Sequence, residues 1–220
     1  MARTAKAEST ANGGGAAPGN GRRPRQDNRR RQLLDAAARL FADQGYRATT
    51  IRDIAGAIGM LPGSVYYHFP SKHDLLATVY EEGVRRIGTN VDAAVAELSE
   101  PWAQLEAACM AHLGTLLDRS DYAQVLIRVI PTDAGEAADR LVVLRDLHEA
   151  RFAALIDDLP LPAAADRRRL RLMLIGALNW AQVWYRPGGD DPASVARDFV
   201  RYLRQAPATW DRQETTEETK

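Results

Sequence analysis

The sequence of 220 residues predicts an all-α fold. Apolar residues recur every three or four positions along most of the chain, which is the spacing of one face of an α-helix. No convincing stretch alternates apolar and polar residues as a half-buried strand does. Proline, glycine and hydroxyl residues separate the periodic segments in the way expected of helix ends. These observations predict about nine helices and no sheet.

Three helices are predicted in the first third of the chain. The first repeats apolar residues at helical spacing and ends at Gly45, because glycine favours helix C-termini. A short second helix begins at Thr49 or Thr50, since either hydroxyl can cap its N-terminus. A short third helix has Pro62 in its first turn and Pro70 just beyond its end.

Six more helices are predicted after these. Ser71, with Asp74 three residues on, is a capping-box-like start for a long helix reaching towards Glu100. The others are expected over about 101–118, 122–130, 134–158 and 164–185, and after Asp191. In the helix over 134–158 the residues expected to face inward are Leu141, Leu144, Leu147, Phe152 and Leu155.

Charge divides the chain into a basic first third and an acidic remainder, although the net charge is zero. Residues 22–80 carry ten basic and five acidic side chains, whereas residues 81–220 carry 17 basic and 23 acidic ones. A basic region of this kind suits contact with a polyanion. The ends, 1–26 and 207–220, lack periodicity, and we expect a disordered basic arm and a disordered tail.

Composition disfavours several classes of protein. Cys109 is the only cysteine, so neither an internal disulfide nor a paired-cysteine metal site can form, and a cytoplasmic location is expected. No apolar run is long enough to span a bilayer, and no secretory signal precedes the first helix. No metal-ligand, nucleophile or phosphate-binding motif is present. The chain is therefore expected to carry no metal or cofactor and not to be an enzyme.

The most informative stretch is 48–72. It reads as two short helices separated by a tight turn at Gly59, which is the helix-turn-helix pattern. Gly63 and Ser64 are small enough to let the second helix approach a DNA groove, with Pro62 in its first turn. Tyr66, Tyr67 and His68 then offer hydrogen-bond donors to phosphates or base edges. We expect a DNA-binding domain over 27–72 and a second domain over 73–206.

Residues 30–80 resemble the TetR family of bacterial transcriptional regulators. The resemblance rests on a first helix ending LFADQGY, followed by TTIRDIA, YYHF and PSK. It implies a core position for Phe69, and Leu61 departs from the family's usual Ser or Thr cap, so the operator sequence cannot be transferred. The residues that the motif and the resemblance together assign to DNA are Thr50, Arg52, Pro62, Gly63, Ser64, Tyr66, Tyr67, His68 and Lys72.

The resemblance also implies a homodimer that reads a palindromic operator in double-stranded DNA, paired through its last two long helices. Apolar residues cover nearly the whole circumference of the helix over 164–185, which predicts burial on all sides. The last helix adds an apolar stripe with arginines opposite. A monomer core is the alternative explanation of both features.

The segment 176–189 resembles the TetR branch that responds to acyl-CoA thioesters. An apolar pocket would take the acyl chain, a tryptophan could stack on adenine, and arginines could meet the phosphates. Another apolar ligand, no ligand, or tryptophans that fill the core or the dimer interface are the alternatives. The candidate ligand-binding residues are Arg128, Arg151, Asn179, Trp180, Trp184 and Arg186.

These expectations combine into a ligand-responsive dimeric transcriptional repressor, located in the cytoplasm and on the nucleoid when bound to DNA. A small apolar effector, with an acyl-CoA thioester as one candidate, would release it from the operator. The alternative is an effector-independent DNA-binding regulator or an activator. A helical enzyme with an incidental helix-turn-helix is a further alternative, and it lacks a set of convergent titratable groups.

Overall fold

The computed structural model describes residues 22–205, except for the side chains of residues 22–26 and 133. This part of the chain folds into nine α-helices, with two 3₁₀ turns and no strand. The helices are α1 (Arg22–Gln44), α2 (Ile51–Ala57), α3 (Pro62–His68), α4 (Lys72–Val95), α5 (Pro101–Leu117), α6 (Asp121–Arg128), α7 (Ala138–Asp157), α8 (Arg167–Trp184) and α9 (Pro192–Gln205). The all-α prediction is confirmed.

Helix starts follow the predicted capping residues. Thr50, rather than Thr49, caps α2 in a full capping box with Asp53, whereas the buried Thr49 hydroxyl donates to the carbonyl oxygens of Leu40 and Gly45. The Ser71 hydroxyl caps α4 by accepting a hydrogen bond from the backbone N–H of Asp74. Each such bond satisfies a donor that the helix itself leaves unpaired.

Three of the helix bounds that differ from the prediction affect the description of the chain. Helix α1 begins at Arg22, so the last five residues of the predicted arm are helical, while 1–21 and 206–220 lie outside the described residues. Helix α4 ends at Val95 instead of reaching Glu100, which caps α5 with its side chain. Helix α7 begins at Ala138 rather than 134, because two 3₁₀ turns, Pro131–Asp133 and Gly135–Ala137, precede it, and Gly135, with a φ of +59°, starts the second of them.

Two apolar cores lie one after the other along α4. The first joins α1, α2, α3 and α6 to the N-terminal half of α4 through residues such as Phe41, Ile54 and Leu76. The second joins α5, α7, α8 and α9 around Val91 near the C-terminal end of α4. Helix α4 is therefore the element that both cores share, and it connects the two ends of the molecule.

One predicted face is wrong in detail, and a second is only partly buried in the single chain. Leu147 was expected inside α7, but it is 57% exposed and its neighbour His148 is buried instead. The buried face of α7 runs through Leu141, His148, Phe152 and Ile156, which follow helical spacing without position 147. The burial of α8 on all sides is likewise not found in the single chain, where its exposed large apolar residues are Leu172, Met173, Trp180, Val183 and Trp184.

Candidate functional site

The head of the molecule is formed by α1, α2, α3 and the start of α4. Ile54 and Ala55 of α2 and Val65 of α3 are fully buried, and Phe69 after α3 is nearly so. Gly59, with a φ of +65°, allows the tight turn between α2 and α3. Because one side of each short helix is fixed in the core, the other side faces outward with a defined orientation.

The outward side of α3 carries the tyrosines that the sequence assigns to DNA. Tyr66 is 53% exposed and Tyr67 is 76% exposed, and the rings of Tyr67 and His68 meet edge to face with centroids 5.5 Å apart. The structure brings Tyr66, Tyr67 and His68 together on one short helix with Gly63 and Ser64. Of the other assigned residues, Thr50, Arg52 and Pro62 lie at the starts of α2 and α3, and Thr50 and Arg52 are exposed.

Lys72 has a different environment from the other assigned residues. Its ammonium group donates to the backbone carbonyl oxygens of Tyr46 and Thr49, each 2.9 Å away, and lies 4.3 Å from the centre of the Tyr46 ring. Partial burial lowers the pKa of Lys72 below its usual value. Two of its three N–H donors are thus used to hold the α1–α2 turn against α4, and its positive charge stays beside the turn that precedes α2.

The N-terminus of α3 lacks a side-chain cap. Leu61 occupies the cap position, makes no capping hydrogen bond and is 76% exposed, while Pro62 follows at the first helical position. Proline at this position removes one backbone N–H that would otherwise need a partner. The stability lost without a cap, typically about 1 kcal/mol, is thereby reduced. The apolar side chain of Leu61 is exposed at the N-terminal end of α3.

A cavity of about 250 Å³ lies between the two cores, beside the middle of α4. It is mainly apolar, and three of its lining residues, Ile130, Arg145 and Asn179, are exposed, so it lies close to the surface of the single chain. Its apolar wall is formed by Val84, Ile87, Leu116, Leu126, Ile127, Val129, Ile130, Pro131 and Ile175, and its polar lining residues are Tyr80, His112, Arg145, His148, Glu149, Asn179 and Gln182.

Three of the polar residues form a connected chain across α5, α7 and α8. His112 Nδ1 lies 3.0 Å from His148 Nε2, and His112 Nε2 lies 2.9 Å from Asn179 Oδ1. The two imidazole rings are stacked, and the ring of Phe152 packs edge-on against both. Burial lowers the pKa of His112 to about 4. Burial, with the nearby charges of His112 and Arg151, lowers the pKa of His148 to about 3, so both rings are neutral at pH 7.

The charged residues at the cavity are paired with one another. Arg145 Nε lies 3.6 Å from Glu149, and its Nη2 lies 2.9 Å from Asp146. Arg171 approaches the same Glu149 at 3.7 Å. Tyr80 is buried beside this cluster, and burial raises the pKa of its hydroxyl, so that it stays protonated. The charges therefore offset one another, and among the described residues that line the cavity no cation is left unpaired for an anionic ligand.

Of the six residues that the sequence assigns to ligand binding, the structure places one at this cavity, Asn179. Trp180 and Trp184 lie on the outer side of α8, and Trp184 contacts the ring of Phe199 on α9. Arg151 forms an ion pair with Asp92. Arg128 donates to the carbonyl of Ala42 in α1, and Arg186, which lies beyond the end of α8, donates to the backbone carbonyls of Val183 and Tyr185. In the single chain these five residues do not line this cavity.

Sequence reasoning missed His112 and His148. They are 36 positions apart and lie on different helices, so no local spacing connects them. One signal was available: each interrupts an otherwise apolar inward face of its helix, and a neutral polar residue in such a position needs a partner. Within residues 22–205, apart from the undescribed side chains, no cluster of three or more His, Cys, Asp or Glu residues could hold a metal ion.

A short exposed helix that carries two tyrosines and is set by a tight turn against a second short helix defines a helix-turn-helix DNA-binding protein. The comparisons with known proteins agree. Residues 33–79 match the family model described as bacterial regulatory proteins, tetR family, and residues 98–206 match the tetracyclin repressor-like C-terminal domain. Between residues 22 and 205, no helix is both long and apolar enough to cross a membrane.

Relatives and structures agree with the family models. The repressor KstR2 of Rhodococcus jostii is 31% identical over 80% of this chain and 89% of its own length. The regulator AcrR of Shigella flexneri is 38% identical over 79% of this chain and 86% of its own length. The crystal structure of AibR in complex with isovaleryl coenzyme A and operator DNA matches the fold, with a TM-score of 0.69 and 22% identity over 79% of this chain and 97% of that chain. The chain belongs to the tetR family of bacterial regulatory proteins.

Proposed function

We propose that this protein is a homodimeric transcriptional repressor that binds a palindromic operator through α3 and is released when a small, largely apolar effector enters the cavity beside α4. The observation that carries the proposal is the separation of two sites along one helix. Helix α4 begins in the DNA-binding head at Lys72, and its middle residues Val84 and Ile87 line the cavity. A ligand that shifts α4 would therefore shift the head.

Helix α6 supports a second connection between the cavity and the head. The Tyr122 hydroxyl donates to Asp35 of α1 at 2.8 Å, and the Arg128 guanidinium donates to the carbonyl of Ala42 in the same helix. Between these two contacts, Leu126 and Ile127 line the cavity. An occupant that displaces α6 would thus move α1 as well as α4. Only a few kcal/mol of differential affinity between two head positions are needed to change operator occupancy about a hundredfold.

The exposed apolar surface of α8 and α9 supports the dimer. Met173, Trp180 and Trp184 follow one face of α8, and Tyr202 of α9 is also exposed. Several large apolar side chains exposed along one helix face are typical of protein interfaces. Because aromatic residues and methionine are enriched at interface cores, a second copy of the same surface is a fitting occupant. Two heads held in this way would read two half-sites.

The cavity is consistent with a short acyl group as the effector's apolar part. About 250 Å³ is too little for a whole coenzyme A thioester, so the nucleotide would remain outside while the acyl chain enters. KstR2, a relative of this chain, is described as a repressor, and AibR was crystallised with isovaleryl coenzyme A. An acyl-CoA thioester is accordingly the effector class that we propose, and the cytoplasm is the compartment that supplies both the DNA and such thioesters.

The test is fluorescence anisotropy with labelled DNA from the region upstream of the protein's own gene, at one fixed salt concentration because phosphate contacts make affinity salt-dependent. The complex is titrated with coenzyme A thioesters of increasing acyl length and with the matching free acids. Release by thioesters alone is the expected result. Tight binding that no thioester or acid disturbs would refute effector control and favour an effector-independent regulator.

Two variants complete the test. Ile87→Trp fills the cavity from α4 and should abolish release while operator binding persists. Val143→Trp is its matched control, because Val143 is an exposed residue of α7 that does not line the cavity. The control should behave as the unmodified protein does. Equal loss of release in both variants would indicate a general effect of an added tryptophan.

A further inference from the structure

The two hydrogen bonds that join His148, His112 and Asn179 form a chain with a defined donor-to-acceptor direction. A neutral imidazole has one nitrogen that donates and one that accepts. Asn179 presents its carbonyl oxygen to His112 Nε2 at 2.9 Å, so that nitrogen must carry the proton. His112 Nδ1 is then an acceptor, and it accepts a hydrogen bond from the protonated Nε2 of His148, 3.0 Å away. The direction therefore runs from His148 through His112 to Asn179.

His148, at the other end of this hydrogen-bonded chain, supports the same direction. His148 Nδ1 is buried and has no hydrogen-bond partner among the described residues. In the direction given above, this nitrogen bears a lone pair. In the opposite direction it would bear an N–H; among backbone groups, buried N–H donors without a partner are rarer than under-satisfied acceptors, and we apply the same preference to this ring. The two ends of the chain thus independently indicate protons on Nε2 of both rings.

The consequence appears at Asn179, the end that borders the cavity. Its oxygen is used by His112, so its NH₂ group remains, and this group has no partner within residues 22–205. Asn179 lines the cavity and is itself exposed, so its NH₂ group is a hydrogen-bond donor available at the cavity rim. Gln182 also lines the cavity, but no contact with a neighbouring side chain fixes which end of its amide faces inward.

The charges at the cavity restrict the ligand further. Glu149 is shared between Arg145 and Arg171, and Asp146 takes a second contact from Arg145. A carboxylate in the apolar cavity would lose its hydration without gaining an unpaired cation, which is costly. An uncharged oxygen acceptor loses far less and can be met by the Asn179 donor.

We propose that Asn179 selects an uncharged carbonyl oxygen on the effector, such as that of a thioester, and that His112 and His148 are positioning residues that keep the Asn179 NH₂ group facing that oxygen. The inference deepens the effector class given above and rests on the cavity being the effector site. It does not require the effector to be a coenzyme A ester or to release DNA.

The first test measures the proton positions directly. Long-range ¹H–¹⁵N correlation spectra of ¹⁵N-histidine-labelled protein at pH 7 distinguish the two neutral forms of each ring. We expect both His112 and His148 to carry the proton on Nε2. A proton on Nδ1 of either ring, or a charged ring, would reverse or break the chain and overturn the proposal. His148→Gln should keep the His112 form, because its side-chain amide can still donate to His112 Nδ1, whereas His148→Leu should not.

The second test compares two probes that differ only at the carbonyl. S-methyl thiohexanoate carries the oxygen acceptor, and hexyl methyl sulfide has a CH₂ group in its place. Calorimetric titration of the full-length protein without DNA should show about fivefold tighter binding of the thioester, the range expected for one neutral hydrogen bond. Hexanoate should bind more weakly than the thioester. Equal binding of the two matched probes, or binding of neither, would overturn the proposal.

Variants of the two cavity amides assign the preference. Asn179→Leu should bind both matched probes equally, and Gln182→Leu should retain the thioester preference. If Gln182→Leu loses the preference while Asn179→Leu keeps it, Gln182 and not Asn179 selects the carbonyl oxygen, and the proposal is refuted. Because these titrations contain no DNA, they can succeed even where thioesters fail to release the operator, which separates this inference from the proposed repressor function.

Discussion

Lowering the pH from 7.5 to 5.5 should destabilise this protein through its two buried histidines. The pKa is about 4 for His112 and about 3 for His148 in the folded chain, against 6.5 for an ordinary imidazole. Because both values are depressed, the unfolded chain takes up protons first as the pH falls. The full free energy of unfolding is therefore kept above about pH 6.5, and it decreases progressively as the pH falls to about pH 3.

The magnitude follows from proton counting. At pH 5.5 each unfolded imidazole binds close to one proton, while each folded one binds almost none. One proton per pH unit corresponds to about 1.4 kcal/mol, and the histidines begin to differ near pH 6.5, so the two together remove about 2 to 3 kcal/mol between pH 7.5 and 5.5. Among the groups around His148, Arg151 lowers its pKa further and Asp92 raises it, and this ion pair is present at both pH values.

Urea unfolding followed by circular dichroism at half-unit pH steps measures the effect as a change in the free energy of unfolding. His148→Gln removes one titrating ring while keeping a donor for His112, so the decrease between pH 7.5 and 5.5 should be about half that of the unmodified protein. A free energy of unfolding that is constant over this range, or an equal decrease in His148→Gln, would refute the assignment of these two rings as buried and neutral.

Three further substitutions test the remaining parts of the structure. Tyr67→Ala should weaken operator binding about tenfold with unchanged thermal stability, because the ring is exposed and contributes little to the core. Anisotropy measures the affinity and thermal unfolding measures the stability, and a large loss of stability would contradict this assignment of Tyr67. Trp180→Glu should convert dimer to monomer in sedimentation velocity, since it places a charge in the apolar surface of α8, and an unchanged dimer would exclude that surface. Gly83→Ala adds a Cβ that would lie 3.0 Å from Leu126 Cγ on α6. The overpacking cost of about 1 to 3 kcal/mol should outweigh the gain of about 1 kcal/mol in helix propensity, so a net loss of up to about 2 kcal/mol is expected, and an unchanged or higher urea midpoint would show that α6 yields freely.

The head could be predicted from sequence because its determinants are local. The Thr50 capping box, the Ser71 cap and the Pro62 start are each set within four residues, and each is found where the local pattern predicts it. Phe69, expected in the core by resemblance, is only 2% exposed. In such a motif the turn fixes the helices, and the helices fix which side chains face outward.

The cavity could not be predicted in the same way because its wall is assembled from five helices. His112, His148 and Asn179 are brought together only by the packing of α5, α7 and α8, and no pattern within one helix records that contact. The same limit explains Leu147 and His148. An inward face chosen by apolar character alone selects the leucine, whereas the packing buries the histidine, whose ring nitrogen has a partner on another helix.

Helix α8 shows why composition alone does not indicate which face of the helix its tryptophans occupy. Its apolar residues cover two opposite faces, one buried through Leu174 and Leu178 and one exposed through Trp180 and Trp184. A helix that is apolar all round requires two apolar neighbours, and a single chain supplies only one of them. At the cavity α8 instead contributes Ile175, Asn179 and Gln182, and a mainly apolar cavity distinguishes ligands by the few hydrogen-bonding groups in its wall.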